Sequence, residues 1–358
     1  MANSKIIMNK CTALFFIILI CFSSSVNAQQ NNQVKIIRSE FIFENAPFEA
    51  CHASTLVDLG EGKIMAAWFG GKHEGSKDVA IWSSTKINGK WSKPVEIANG
   101  MESDSVRFAC WNPVLFKSAN GMLFLHYKIG PNPRAWWAAY KTSNDEGKNW
   151  STAKKLPEGF LGPIKNKPLQ LKNGTILYPS STESLDEKIW NIHLEKSDKN
   201  GKNWRKTPID CDTFSVIQPS ILSHTNGKLQ LLCRSRQNVI VESWSLDQGE
   251  TWSKLAPTQL PNPNSGSDAV TLKNGKQLLI YNPLTAGKNW WEGRSVLKLA
   301  ISNDGIIWKD IYTLEEHKKG EYSYPAIIQD HDGNIHLSYT SERKKIKHVE
   351  LRSCLNFD

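Results

Sequence analysis

His52, Asn112, Lys167, Gln218, Asp268 and Tyr324 occupy matching positions in six similar stretches of chain, each a short way upstream of a glycine. The glycines are Gly62, Gly121, Gly174, Gly227, Gly275 and Gly333. A second set follows the same glycines: Glu74, Lys128, Glu183, Arg234, Tyr281 and Arg343. Together they offer carboxylates, phenols, an imidazole and several fixed cations. Such a mixture can clamp an anion, move a proton and supply a nucleophile. Buried charges need partners, so a ring holding both acids and bases suits a ligand better than it suits packing.

The elements that must position this ring are short strands. Four of the glycines follow Asn and one follows Asp, a strong hairpin signal between apolar runs. Each of the first five is followed by a tryptophan: Trp91, Trp150, Trp204, Trp252 and Trp308, recurring every 48 to 59 residues. The tryptophans close a box seen best in SLDQGETW (residues 245–252) and SNDEGKNW (143–150). In SDKNGKNW (197–204), Lys199 stands where the Asp is expected. One hairpin plus one box-turned hairpin makes four strands per unit, and a period of this length indicates a propeller or another repeat array. The expected fold is all-β, a six-bladed β-propeller of four-stranded antiparallel blades. The sixth unit lacks a box, and VKIIRSEFIF (34–43) lacks a hairpin partner, so the amino-terminal strand is expected to close the last blade.

In a propeller the first strand of each blade lines the axis, and the antiparallel second strand returns to the same mouth. Both sets of polar residues should therefore meet there. Pro113, Pro168, Pro219 and Pro325 follow four of the first set, which predicts strand starts at those positions. The boxes themselves are read as scaffold. Their Ser and Asp can bond their own turn, and the Trp can pack between blades.

Lys5 and Lys10, the apolar run from Ala13 to Phe22 and the ending Val26-Asn27-Ala28 read as a signal peptide over residues 1–28. That run is too short to span a bilayer. The expected product is a secreted or periplasmic monomer, one propeller domain over residues 29–358. Removing Lys5 and Lys10 takes the net charge from +9 to +7, an excess that can attract an anionic ligand. No arginine-rich helix or zinc finger is present, so no nucleic-acid partner is expected. Cys51, Cys110, Cys211, Cys233 and Cys354 show neither metal-ligand nor disulfide spacing and read as small buried apolar residues. No metal and no cofactor are expected.

The boxes resemble the Asp-box (BNR) repeats of the sialidase superfamily, and the resemblance runs through nearly all of residues 29–358. LQLLCRSRQNVIVESWSLDQGETW is similar to the blade carrying the second arginine of the family's carboxylate-binding triad, which lands on Arg234. GRSVLKLAISNDG resembles the blade carrying the third, which lands on Arg294. EYSYPAIIQDHDG resembles the nucleophile blade; the motif matches Tyr322-Ser323, while spacing to Asp-Gly and the ring position favour Tyr324. The family's first arginine belongs to an Arg-Ile-Pro motif, and CHASTL puts His52 in its place. The acid/base Asp has no clean match: FGGKHEGSKD offers Glu74 and Asp78.

The resemblance implies a glycosidase acting on a terminal acidic sugar, with a glycan bearing an anionic sugar as partner. Arg234 and Arg294 would hold the carboxylate, Tyr324 would attack, and Glu183 would take its proton. Glu74, Asp78 or Asp268 would protonate the leaving oxygen, and Lys167, Asn112, Gln218, Tyr281 and Arg343 would complete the binding ring. Sialidases are a recognised exception to two-carboxylate glycosidases because they use a Tyr nucleophile. The alternatives are a polysaccharide lyase on a uronic-acid glycan, with His52 and Tyr324 as base and acid, and a non-catalytic glycan-binding propeller. In the last, Trp111, Trp136, Trp137, Trp190, Trp290 and Trp291 could stack on sugars.

Overall fold

The computed structural model describes residues 34–289 and 291–352. The expected signal peptide, Trp290 and Cys354 lie outside them. Six four-stranded antiparallel blades form a six-bladed β-propeller, with no helix among the described residues. The innermost strands are Ala50–Gly60, Ala109–Lys117, Leu169–Gln170, Val216–Ser223, Asp268–Thr271 and Tyr322–Gln329. They belong to blades one to six in that order. In blade one, Val95–Ala98 also pairs with the third strand. Each of the six glycines stands in the first hairpin of its blade at positive φ, 69° to 91°, the conformation for which glycine is suited.

The amino-terminal strand Lys35–Phe41 completes blade six, pairing antiparallel with Lys345–Arg352. This closes the wheel, so the first and last blades share one seam. Lys86 of blade one is buried at that seam, 2.8 Å from Glu350 and 3.2 Å from Glu40 of the closing strand. Trp91 Nε1 also donates to Glu40.

The boxes do the structural work expected of them. In the box of blade four, Gly249 N donates to Ser245 Oγ at 2.8 Å and Thr251 N to Asp247 at 2.9 Å. In blade three, Asp198 takes over the place held elsewhere by the third box residue, accepting from Lys202 N at 3.0 Å. Trp204 stacks on Tyr178 with ring centroids 4.5 Å apart, and Trp308 is buried against blade four.

The prolines depart from expectation in an informative way. Pro113, Pro219 and Pro325 lie inside their strands, not at the first residue. Each follows a residue in the left-handed region: Asn112 (φ 35°), Gln218 (56°) and Tyr324 (51°). The pairing register shifts at each of these places, as it does around Ala53 (55°) in blade one. These are β-bulges, which locally re-aim side chains, and proline is tolerated there because the ladder is already interrupted. Pro168 alone sits just ahead of its strand. The described cysteines, Cys51, Cys110, Cys211 and Cys233, are unpaired, and three of them are buried.

Burial keeps several histidines neutral. It pushes His52 well below its ordinary value, His126 down to about 3 and His348 down to about 4. The unfolded chain protonates these groups near pH 6.5, and the folded chain does so only at lower pH. Between about pH 6.5 and pH 4 the unfolded state therefore binds more protons, so stability falls as pH falls. Each such histidine contributes up to about 1.4 kcal/mol per pH unit in that window. Thermal scans at constant ionic strength from about pH 7 to about pH 4.5 should show a steadily falling Tm, less steep in His126→Phe. A Tm that does not move with pH would contradict this account.

Candidate active site at the axial mouth

At one end of the axis lies an open cavity of about 560 Å³. Arg234, Arg294, Arg343, Tyr324, Glu74 and Trp190 line it, with Asn264 and the 286–289 loop at its rim. Arg234 comes from the end of the second strand of blade four, Leu229–Ser235. Arg294 precedes the third strand of blade five, Val296–Ser302, and Arg343 follows the second strand of blade six, Ile335–Ser341. Glu74 sits in the corresponding connection of blade one, between Lys63–Gly71 and Ala80–Ile87. Four blades thus deliver cations and a carboxylate to one hollow, each from strand ends facing the same mouth.

The three guanidiniums are held differently. Arg343 Nε donates to Glu321 at 2.7 Å, and Arg343 also pairs with Glu74. Arg294 Nη1 donates to Glu321 at 3.0 Å and Nη2 to the Asn264 carbonyl at 3.2 Å. Glu321 is thus shared by two arginines. Burial would raise its pKa, but Arg343 and Arg294 outweigh burial and hold the carboxyl below its ordinary value. Burial likewise works against the charge of Arg343, and Glu74 and Glu321 more than compensate. Arg234 is 6% exposed and leans only on neutral groups: Asn264 Oδ1 at 2.9 Å, Gln218 Oε1 at 3.2 Å and Tyr324 Oη at 2.7 Å. Among the described residues no carboxylate lies within ion-pair distance of it.

Tyr324 stands in the left-handed bulge of the innermost strand of blade six. A non-glycine residue there costs about 1–3 kcal/mol and persists only where its surroundings impose it. Its hydroxyl accepts from Arg234 and, at 3.4 Å, from Gln218 Nε2. These two bonds fix the direction of the hydroxyl toward the cavity. Tyr322 lies outside this lining, stacked on His317 with ring centroids 4.4 Å apart.

Glu183, at the end of Ile176–Glu183 in blade three, pairs in register with Trp190 of the cavity wall. Burial raises its pKa above the ordinary value, although Arg234, Arg134 and Arg236 pull the other way. His52 lies beneath Tyr324, ring centroids 4.1 Å apart, with Nδ1 at 2.9 Å from Thr340 Oγ1. It is 1% exposed and does not line the large cavity.

Other members of the counted ring stand elsewhere. Asp268 is buried in the hub, accepting from Lys167 Nζ at 2.9 Å, Ser220 Oγ at 3.0 Å and Ile327 N at 2.9 Å. Lys167 lines a separate cavity near the glycine hairpins, at the opposite end of the axis. Tyr281 points outward, and its hydroxyl donates to Asp310 at 2.9 Å. Asn112 is buried at its bulge. Asp78 accepts from Lys72 N at 2.8 Å, away from the cavity lining. Of the described tryptophans proposed as sugar platforms, Trp190 alone lines the cavity, and Arg236 covers it at 4.0 Å. Trp111 and Trp136 pack on each other, Trp137 on Phe108, and Trp291 is exposed. Glu321 and Asn264 went unread in the sequence. Glu321 directly precedes Tyr322 in EYSYP, so its place beside the arginines was within reach.

Comparison with known proteins agrees with this architecture. The profile of the BNR repeat-like domain matches residues 62–337, and the chain belongs to that family, within the sialidase superfamily. An anhydrosialidase of Macrobdella decora is 28% identical over 229 residues, 57% of this chain. The matched part spans 29% of that protein's length. Many solved structures share the fold, among them the following two. A protein of unknown function from Dyadobacter fermentans has a TM-score of 0.72 at 17% identity, covering 90% of this chain and 99% of its own. A leech intramolecular trans-sialidase, complexed with 2,7-anhydro-Neu5Ac, has a TM-score of 0.67 at 16% identity, covering 89% and 70%.

Removing a shared buried counter-ion strands its partners. Glu321→Gln should lower the free energy of unfolding in urea by about 3 kcal/mol, because Arg294 and Arg343 lose a common carboxylate. Unchanged stability would show that the two arginines do not depend on it.

Proposed function

We propose that the protein is an exo-acting glycosidase that releases a terminal acidic sugar, sialic acid or a uronate-containing unit, from a glycan. The observation that carries this reading is Arg234: a buried guanidinium bonded to the Tyr324 hydroxyl, with no carboxylate partner among the described residues. A buried cation whose hydrogen bonds go only to neutral groups can seat an anion. Arg294 and Arg343 flank it, so three arginines can converge on one substrate carboxylate even though His52 stands where the family's first arginine is expected. The anhydrosialidase relative and the sialidase-like fold support the same reading.

In this mechanism Tyr324 Oη attacks the anomeric carbon as Glu183 takes its proton. Glu74, on the cavity wall, gives a proton to the departing glycosidic oxygen. Water then attacks the anomeric carbon and its proton returns to Glu74, while the Tyr324–sugar bond breaks and Glu183 gives its proton back to the departing phenol oxygen. A neutral phenol suits an anomeric centre that bears a carboxylate, since an anionic nucleophile would be repelled there. Asp78 and Asp268 have less support as acids, because Asp78 is tied to Lys72 N and Asp268 to Lys167 and Ser220. The lyase reading has less support because His52 is enclosed beneath Tyr324. Export through an amino-terminal leader fits a glycan substrate outside the cytoplasm.

Incubation with a panel of sialylated and uronate-bearing glycans, read by mass, tests the class of reaction. Products whose summed mass exceeds the substrate by one water support hydrolysis. Conserved mass with an unsaturated product, as in elimination, or binding without product, counts against the glycosidase reading. Tyr324→Phe should reduce kcat by about a thousandfold or more while the anionic sugar still binds. Undiminished turnover would remove Tyr324 from the chemistry.

Glu183 must be ionised to accept the proton, so kcat should fall as pH drops through its raised pKa. The acid limb of the profile should lie above the ordinary carboxylate value and vanish in Glu183→Gln, with kcat lower by about a hundredfold. An unaltered limb in that variant would assign the proton to another group.

A further inference from the structure

One dipeptide touches the backbone of both bulges whose left-handed residues carry polar side chains to Arg234. Lys165 and Asn166 precede the innermost strand of blade three. That strand is two residues long, whereas the other innermost strands run from four to eleven. In the stretch leading into it, Ile164 N still donates to Pro179 O of the same blade at 3.1 Å, while the next two side chains reach across the hub. Lys165 Nζ donates to Pro325 O of blade six at 2.6 Å, to Ser267 O at 3.2 Å and to Asn166 Oδ1 at 2.8 Å. Asn166 Nδ2 donates to Gln218 O and Pro219 O of blade four, at 3.1 Å each. Lys165 Nζ thus meets three acceptors, and burial draws its pKa down to about 7. Both residues are buried.

Three of the four backbone carbonyls these side chains hold, those of Pro325, Gln218 and Pro219, belong to the bulges. Pro325 follows Tyr324, and Pro219 follows Gln218. The register shift leaves Tyr324 and Pro325 outside the regular ladder, and Gln218 and Pro219 likewise. Their carbonyls therefore need donors from elsewhere. An apolar residue at 165 would leave Pro325 O and Ser267 O unpaired in the hub, and the bulge could relax toward an ordinary strand.

We propose that Lys165 and Asn166 form the positioning element of the site. They pin the bulges of blades four and six to blade three, and so set the Tyr324 hydroxyl against Arg234 and Gln218. The kinetic part of this inference rests on the glycosidase reading; the structural part does not.

Lys165→Met keeps the length of the stem and removes its donors. In crystals of the variant, the Tyr324 hydroxyl should move out of hydrogen-bond distance of Arg234 Nη1. An unmoved hydroxyl overturns the proposal whatever the reaction proves to be. On a substrate the wild-type protein turns over, kcat should fall at least about tenfold while KM stays within about threefold, because the arginines that bind the carboxylate remain in place. A folded variant with undiminished kcat, or with a loss confined to KM, overturns it. Should Lys165→Met fail to fold, Asn166→Ala, which frees only the Gln218 and Pro219 carbonyls and one acceptor of Lys165, is read by the same two measurements. Failure of that milder variant to fold would make the dipeptide a scaffold element and overturn the positioning role. If the wild-type protein turns over nothing in the panel, the glycosidase reading fails while the crystallographic arm still decides this one.

Discussion

A guanidinium taken out of water costs several kcal/mol unless something offsets its charge. The hub of this propeller brings three together. Glu321 compensates Arg294 and Arg343, and Glu74 adds to the latter, but Arg234 relies on an amide, another amide and a phenol. That imbalance is the constraint around which the mouth is built. It explains why the cavity stays open to water, and why Tyr324 presents its oxygen to a cation. An anion entering the hollow would complete the charge balance that the fold leaves unfinished.

The propeller suits this task because it separates scaffold from site. Box turns, tryptophans and the amino-terminal strand hold the outer parts of the blades and close the ring. The inner strands carry the residues that differ from blade to blade. Bulges then decide where those residues point. Without the left-handed turn at Tyr324 the strand would alternate regularly, and the phenol would take a different direction. Local strain at the hub is maintained by hydrogen bonds that cross between blades, from Lys165 and Asn166 among others.

Much of the architecture was legible in the sequence, because repetition makes it so. Hairpin glycines, boxes and the unpartnered strand at residues 34–43 fixed the number of blades and their closure. Counting from the glycines reached Tyr324, Arg234, Gln218, Glu74 and Arg343, which the structure brings together. The same count gave Tyr281, Asp268 and Lys167, which face other surroundings. The reason is that side-chain direction in a strand reverses with every residue, so a bulge of one residue changes which face is addressed. Three prolines marked those bulges and read instead as strand starts. Arg294 stands outside the counting scheme and came only from the family resemblance. Lys165 belongs to a segment with no strand periodicity, and its role depends on carbonyls far away in the chain, so nothing local announced it.

The central claim is that Tyr324 is a nucleophile facing an anion seat. The most direct measurement is covalent trapping with a fluorinated acidic-sugar analogue whose glycosyl-enzyme intermediate hydrolyses slowly, followed by proteolysis and mass mapping of the adduct. The account predicts one sugar per chain, attached to Tyr324 and lost when Arg234 is replaced by Met. An adduct on a carboxylate, or turnover of the parent substrate with no adduct at any residue, would contradict it.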